Sequence, residues 1–222
     1  MILQKEREQV VQYGKLLVTQ GLTTGTGGNL SSCNREKGLM ALTPSGVDYF
    51  VMKPEDIVVL DIQTGRIVDG DLLPSSESDM HRIFYKYRTD IHALVHAHTN
   101  YATALACLNK PLPAIHYLVA LAGGLDVRCA KYATYGTVAL ARNVFEAMQD
   151  RTAVLLANHG IMAGGADMQT AFNTAEEIEF CCALYYRARC MGHPVILPDD
   201  EMQRMVERFK SYGKKPEQHE EI

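Results

Sequence analysis

The segment Leu94-Val95-His96-Ala97-His98-Thr99-Asn100 joins an apolar run to two histidines one residue apart. Such a run reads as a β-strand, and strand side chains alternate between faces, so His96 and His98 project from the same face with adjacent imidazoles. A third histidine, His159, follows the apolar run Ala153–Ala157 in Leu155-Leu156-Ala157-Asn158-His159-Gly160. Any one of these residues taken singly would more often be an ordinary surface or core histidine. Three neutral imidazoles delivered by two strands, with a coordination position left open, instead describe a catalytic zinc-type site rather than a closed structural one.

Three further segments suit an anion. Gly25-Thr26-Gly27-Gly28-Asn29 is dense enough in glycine for backbone N–H groups to converge, with Thr and Asn side chains as added donors. It lacks the Gly-Lys-Ser/Thr ending of a Walker loop, and it follows a helix rather than a strand, unlike a dinucleotide fingerprint. Pro74-Ser75-Ser76-Glu77 opens a helix, where free N–H groups and the helix dipole favour negative charge, although an ordinary serine cap with Glu77 in the first turn has the same sequence. Thr43-Pro44-Ser45-Gly46 is by default a hairpin turn.

The elements that must position these residues can be read from periodicity. Val10, Tyr13, Leu16 and Leu17 trace a first helix that ends at Gly21. A loop and hairpin follow through Leu39-Met40-Ala41-Leu42, then a short turn at Pro54, a strand at Ile57–Leu60, and a reversal at Asp61–Gly65 into Arg66-Ile67-Val68. Met80, Ile83, Phe84 and Tyr87 trace the helix after Glu77. Beyond the histidine strand the pattern predicts helices at 101–108, 137–148, from an Asp167 cap to about Cys190, and at 201–212, with an irregular stretch through Pro113, Gly123 and Gly124. Short strands, several of them hairpin-linked and interleaved with helices, predict an α/β fold: a mixed sheet covered by helices on both faces, without a regular βαβ repeat.

Composition narrows the function classes. A chain of 222 residues, 47% hydrophobic and 22% charged, is predicted to form one domain over residues 1–213 followed by a polar tail at 214–222. Its net charge is −4 and its basic residues are scattered, which excludes a nucleic-acid binder but not a discrete anionic ligand. The charged amino terminus and the lack of a long apolar window point away from a signal peptide or membrane span and toward the cytoplasm. Six cysteines without a CxxC read as reduced thiols.

In chain order, Gly25-Thr26-Gly27-Gly28-Asn29, Thr43-Pro44-Ser45-Gly46, Pro74-Ser75-Ser76-Glu77, His96-Ala97-His98, Pro113-Ala114-Ile115-His116-Tyr117, Tyr132-Ala133-Thr134-Tyr135-Gly136 and Asn158-His159-Gly160 resemble the motif series of the class II aldolase and epimerase superfamily, closest to its L-fuculose-1-phosphate aldolase branch. The resemblance implies a three-layer α/β/α fold with a central, mostly antiparallel mixed sheet, and a four-fold homotetramer with active sites between subunits. It implies Zn²⁺, or another divalent ion such as Mn²⁺ or Co²⁺, held by His96, His98 and His159. Glu77 would be a fourth ligand at rest that leaves when substrate chelates the metal, then carries a proton. Gly28, Asn29, Ser45, Gly46, Ser75 and Ser76 would hold the substrate phosphate. Tyr117 would reach into a neighbouring subunit's site to handle the proton on the aldehyde oxygen, and Tyr135 and Tyr212 would line the aldehyde end, also from a neighbour.

The implied reaction is reversible cleavage of a ketose 1-phosphate to dihydroxyacetone phosphate and an aldehyde, the ketose being fuculose, 5-deoxyribulose or 5-methylthioribulose 1-phosphate. A pentulose-5-phosphate 4-epimerase is the alternative within the superfamily. Such epimerases carry an acidic residue in a Thr-His-Ala-Asp-like segment, where this chain has Ala114-Ile115-His116-Tyr117-Leu118-Val119-Ala120. A dehydratase or decarboxylase of related fold is more distant, and a non-catalytic zinc or sugar-phosphate binder is disfavoured by Glu77 beside an open histidine triad.

Overall fold

The computed structural model describes residues 1–212, so the polar tail expected at 214–222 lies outside the described residues. In chain order the elements are α1 (Gln4–Thr19), β1 (Asn29–Asn34), β2 (Leu39–Leu42), β3 (Val58–Asp61), β4 (Ile67–Asp69), α2 (Ser78–Tyr87), β5 (Ala93–Ala97), α3 (Asn100–Ala106), β6 (Cys129–Ala130), α4 (Val138–Ala147), β7 (Ala153–Leu156), β8 (Gly160–Gly165), α5 (Met168–Met191) and α6 (Asp199–Ser211). Short 3-10 helices occupy Pro54–Asp56 and Tyr117–Ala122. The strands form one sheet in the order β4-β3-β2-β1-β5-β8-β7-β6. Only β6 and β7 run parallel; the other pairs are antiparallel.

Strand alternation splits the core into two layers. Ala93, Val95 and Ala97 of β5 join Leu155 of β7, Ile161 of β8 and the inner faces of α1, α3 and α5. Leu94, Val154, Leu156 and Met162 pack on the opposite face against Met80 and Phe84 of α2 and Leu140 and Val144 of α4. The result is the three-layer α/β/α arrangement, with Leu155, Ile161 and Leu94 fully buried and each contributing about 1.5–3 kcal/mol of hydrophobic stabilisation. His96 falls in the same alternation as Leu94, so its ring faces the α2 layer.

Two strands escape the sequence reading. β8 begins and ends in glycine (Gly160, Gly164, Gly165), a composition of low strand propensity. Its place is set by neighbours: β5 pairs along one edge and β7 along the other. The glycines are needed for close approach, since a Cβ on Gly165 would lie 2.6 Å from the Ala171 nitrogen and one on Gly164 would lie 3.1 Å from Ile91 and Leu94 side-chain carbons. β6, two residues long, carries no periodicity at all.

Candidate active site

The histidine triad is assembled where three adjacent segments end together. β5 stops at Ala97, one residue before His98. β7 and β8 are joined by the loop Ala157-Asn158-His159, with Leu156 paired to Gly160 and Asn158 in the left-handed region at φ 53°, a conformation asparagine tolerates better than most residues. Gly160 lets this loop close on β5: a Cβ there would sit 2.3 Å from the Ala97 carbonyl oxygen and 3.2 Å from the His98 ring. Gly27 makes a matching approach, its built Cβ 3.2 Å from His98 Nδ1. The His98 ring is thus admitted between two glycines.

The ligand atoms of His96, His98 and His159 all lie within 4.8 Å of one another. His96 is fully buried and donates its Nδ1–H to the Ile161 carbonyl at 2.9 Å, which turns the Nε2 lone pair into the triad. His98 Nε2 lies 3.1 Å from His96 Nε2; two ring nitrogens at that distance share either a proton or a cation. Glu77 completes the set, with Oε2 3.2 Å from His96 Nε2 and Oε1 3.4 Å from His159 Nε2. Its Oε1 is buried without a hydrogen-bond partner. An orphaned carboxylate oxygen beside three convergent imidazoles fits a divalent ion, and three nitrogens with one oxygen fit zinc.

Electrostatics agree with that fit. Burial, reinforced by the neighbouring imidazoles, pushes His98 and His159 down to about 4, so both are neutral at pH 7 and able to ligate. Burial alone would raise the Glu77 carboxyl; His96, His159 and Asn29 outweigh it and hold the group well below the usual carboxylate range. A pH dependence follows for the metal-free protein. The folded values of His98 and His159 lie below 6.5, and that of buried His81 lies at about 3, so the unfolded chain binds more protons in the window from 6.5 down to those values. Stability is full above pH 6.5 and is lost as pH falls toward 4. Melting midpoints of chelator-treated protein at pH 7.5, 6 and 4.5 should fall in that order, and a flat profile would refute the assignment.

A cavity of about 480 Å³ opens beside the triad, lined by Thr26, Gly27, Gly28, Asn29, Pro44, Ser45, Gly46, Ser75, Ser76, Glu77, His98, Tyr132, Ala133, Tyr135, Asn158 and His159. All six residues expected to hold a phosphate therefore share one wall with Glu77. The two serine loops are zipped together by Ser45 N–H donating to the Leu73 carbonyl at 2.9 Å and Ser75 N–H to the Thr43 carbonyl at 3.1 Å. Tyr49 ties down the glycine loop, its hydroxyl 2.9 Å from the Gly28 carbonyl. Gly28 itself has φ +74°, and a Cβ there would lie 2.5 Å from the His96 carbonyl oxygen. Gly28→Ala should therefore lower stability by about 2 kcal/mol or more, whereas Gly25→Ala, at φ +60° with open space around it, should lose only about 1 kcal/mol. Equal losses in urea titrations would contradict the close approach.

Other expectations meet different outcomes. The helix after Glu77 has no serine cap: Glu77 is itself the N-cap residue and α2 begins at Ser78, because the carboxylate is turned to the imidazoles while Ser75 Oγ accepts the Glu77 N–H at 3.3 Å. Tyr135, expected from a neighbouring subunit, lines this chain's own cavity, its loop held by Gly136, where a Cβ would lie 3.1 Å from the Ser76 carbonyl oxygen. Tyr117 and Tyr212 are not brought to the triad. Tyr117 starts the 3-10 helix at 46% exposure and stacks on Phe209 of α6 at 6.3 Å, with Tyr212 against Phe209 at 5.9 Å. Thr26, read from the sequence as an added donor of the glycine loop, lines the cavity; the sequence reading missed Tyr49, Tyr132 and Asn158 as parts of the site, and His81 beneath it. For His81 a signal existed: it lies one helical turn after Glu77.

Fold and site together define a class, an α/β/α protein that presents a divalent-metal ligand set to a cavity suited to a phosphorylated small molecule. The chain belongs to the class II aldolase family: the family profile described as "Class II Aldolase and Adducin N-terminal domain" matches residues 8–186. A 5-deoxy-D-ribulose 1-phosphate aldolase of Bacillus thuringiensis serovar kurstaki is 53% identical over 213 residues, covering 96% of this chain and 99% of its own. An L-fuculose phosphate aldolase of Escherichia coli O6:H1 is 39% identical over 210 residues, covering 94% and 96%. A solved structure of an L-fuculose 1-phosphate aldolase superimposes with a TM-score of 0.90 at 57% identity, over 93% of this chain and 96% of that one.

Proposed function

We propose that this protein, a ketose 1-phosphate aldolase, acts on a 5-deoxypentulose 1-phosphate, breaking the C3–C4 bond to give dihydroxyacetone phosphate and acetaldehyde. The observation that carries the reading is the placement of Glu77 between the histidine triad and the serine- and glycine-lined cavity. The relative that is 53% identical bears a 5-deoxyribulose 1-phosphate name, and Tyr132, Ala133 and Tyr135 offer a short alkyl tail a largely apolar wall. A 4-epimerase is the weaker reading, since the stretch around Tyr117 lacks the acidic residue expected of one.

His96, His98 and His159 would hold the metal, with Glu77 as the resting fourth ligand. A divalent ion held there would supply Lewis-acid stabilisation of the negative charge that develops on the ketose oxygens. The Gly28, Asn29, Ser45, Gly46, Ser75 and Ser76 wall binds the phosphate, remote from the reacting bond, and so orients C3 toward Glu77. In the condensation direction the Glu77 carboxylate accepts the C3 proton of dihydroxyacetone phosphate. In cleavage it returns that proton as the C3–C4 bond opens. Tyr117, from a neighbouring subunit of a homotetramer, would give up or take the proton on the aldehyde oxygen; its exposure and its stacking with α6 support a role outside its own chain's cavity. Residues 1–213 would act as one catalytic domain, in the cytoplasm. No described helix is long and apolar enough to cross a membrane, and the six cysteines are free.

The test is a coupled assay of dihydroxyacetone phosphate release from 5-deoxyribulose, 5-methylthioribulose and fuculose 1-phosphates, with ribulose 5-phosphate as the epimerase control. The highest kcat/KM should fall on 5-deoxyribulose 1-phosphate. Release from none of the ketose 1-phosphates, or epimerisation of ribulose 5-phosphate, would overturn the assignment.

A further inference from the structure

A row of hydrogen-bonded side chains runs from the interior of the α2 layer to Glu77. Asn29 Nδ2 donates to Glu77 Oε2 at 2.8 Å, and Asn29 Oδ1 lies 2.5 Å from His81 Nε2. Ser31 Oγ lies 2.6 Å from His81 Nδ1 and 2.7 Å from the Tyr85 hydroxyl. Two periodicities build it: Asn29 and Ser31 alternate onto one face of β1, while Glu77, His81 and Tyr85 follow one another at four-residue spacing along α2. Every member is buried, His81 and Ser31 completely. Most polar groups in a core are satisfied locally and singly; here five side chains are spent on one continuous line.

The protons in this row have a single consistent direction. A carboxylate only accepts, so Asn29 presents its NH₂ to Glu77 and its carbonyl to His81. That carbonyl only accepts, so His81 carries its proton on Nε2 and Nδ1 is left as an acceptor. Ser31 then donates to Nδ1, and Tyr85 donates to Ser31, with the Ser31 carbonyl as a second acceptor at 3.0 Å. Four hydrogen bonds point toward the carboxylate, the polarity in which each strengthens the next. Without His81 the Asn29 amide could turn over and set its oxygen against the carboxylate. Asn29 also lines the cavity, so the same amide faces both the phosphate wall and the proton carrier.

We propose that His81 is a positioning residue for proton transfer at Glu77, acting through the Asn29 amide whose orientation it fixes. The proposal rests on the aldolase reading, in which Glu77 moves the C3 proton. It predicts that His81→Phe lowers kcat for solvent exchange of the C3 proton of dihydroxyacetone phosphate about 10- to 100-fold, with metal content and KM within about two-fold of wild type. His81→Gln, which keeps an N–H toward Asn29, should recover most of the loss. In an Asn29→Ala background His81→Phe should do nothing further. A second readout needs no turnover: in the metal-free protein the Asn29 side-chain amide should be protected from hydrogen exchange in wild type and His81→Gln, and unprotected in His81→Phe. Should His81→Phe not fold, Ser31→Ala removes the donor to Nδ1 and carries the same expectations at smaller size. Wild-type exchange in His81→Phe, an undiminished effect in the Asn29→Ala background, or no rescue by Gln would each overturn the positioning role. Absence of C3 exchange in the wild-type protein would instead remove the aldolase reading and leave the row as a structural feature.

Discussion

Glu77→Gln is expected to reduce solvent exchange of the C3 proton of dihydroxyacetone phosphate by about 10²- to 10⁴-fold while leaving dihydroxyacetone phosphate binding nearly intact. The amide is isosteric with the carboxylate but cannot accept a proton, so the substitution removes the chemistry and keeps the shape. The phosphate contacts proposed for Gly28, Ser45, Gly46, Ser75 and Ser76 would be untouched, since within that wall the Glu77 carboxylate bonds to Asn29. The carboxylate it replaces is buried with one oxygen orphaned. Because the imidazoles and Asn29 favour the charged form of Glu77, the metal-free variant should lose some folded stability at neutral pH. Exchange is read by loss of tritium from labelled dihydroxyacetone phosphate and binding by calorimetry. Unchanged exchange would take Glu77 out of the mechanism, and lost binding would make it a phosphate-wall residue instead.

Denying the site a divalent ion should have the larger effect on overall turnover. Chelation is expected to abolish cleavage, with activity restored by Zn²⁺ or another divalent ion, and His96→Ala should abolish it irreversibly. Among the three histidines His96 is the least replaceable: it is fully buried, its Nδ1–H is committed to the Ile161 carbonyl, and its Nε2 meets both His98 and Glu77. With Glu77 a ligand only at rest, loss of His96 would leave two imidazoles, fewer than the three protein ligands a catalytic zinc ordinarily keeps. His96→Ala would also empty a fully buried space, so its metal stoichiometry must be read on protein shown to be folded by circular dichroism. Full activity after exhaustive chelation would dismiss the metal from the reaction.

Much of this arrangement was legible in the residues. The period of two at Leu94–His98 predicts two imidazoles on one side, and the rings do converge, His96 from β5 and His98 from the residue just beyond it. The glycine and serine loops each read weakly as anion sites, and their value came from order along the chain rather than from any one of them. What stayed hidden was set by tertiary contact. Gly160–Gly165 has no strand signature because its glycines answer to α5 and to the His98 ring, which sequence periodicity cannot register. His81 sits within an amphipathic helix where a histidine reads as one more core-facing side chain, and only the position of Asn29 across β1 discloses its partner. Tyr117 and Tyr212 carry an assignment that one chain cannot complete, since under the proposed reading the cavity they serve would belong to another copy.

The triad and Glu77 draw on residues 77, 96, 98 and 159, at the start of α2, at the end of β5 and in the β7–β8 hairpin. These segments meet only when the middle of the sheet is in register. An ion held at that point would therefore act as a fastener between stretches of chain up to 82 positions apart (159 − 77), and its binding energy would count toward the cohesion of the whole sheet rather than of one loop. Such contacts are late to form when a chain folds, because long loops must close first. Catalytic competence would thus require the centre of the sheet to be closed.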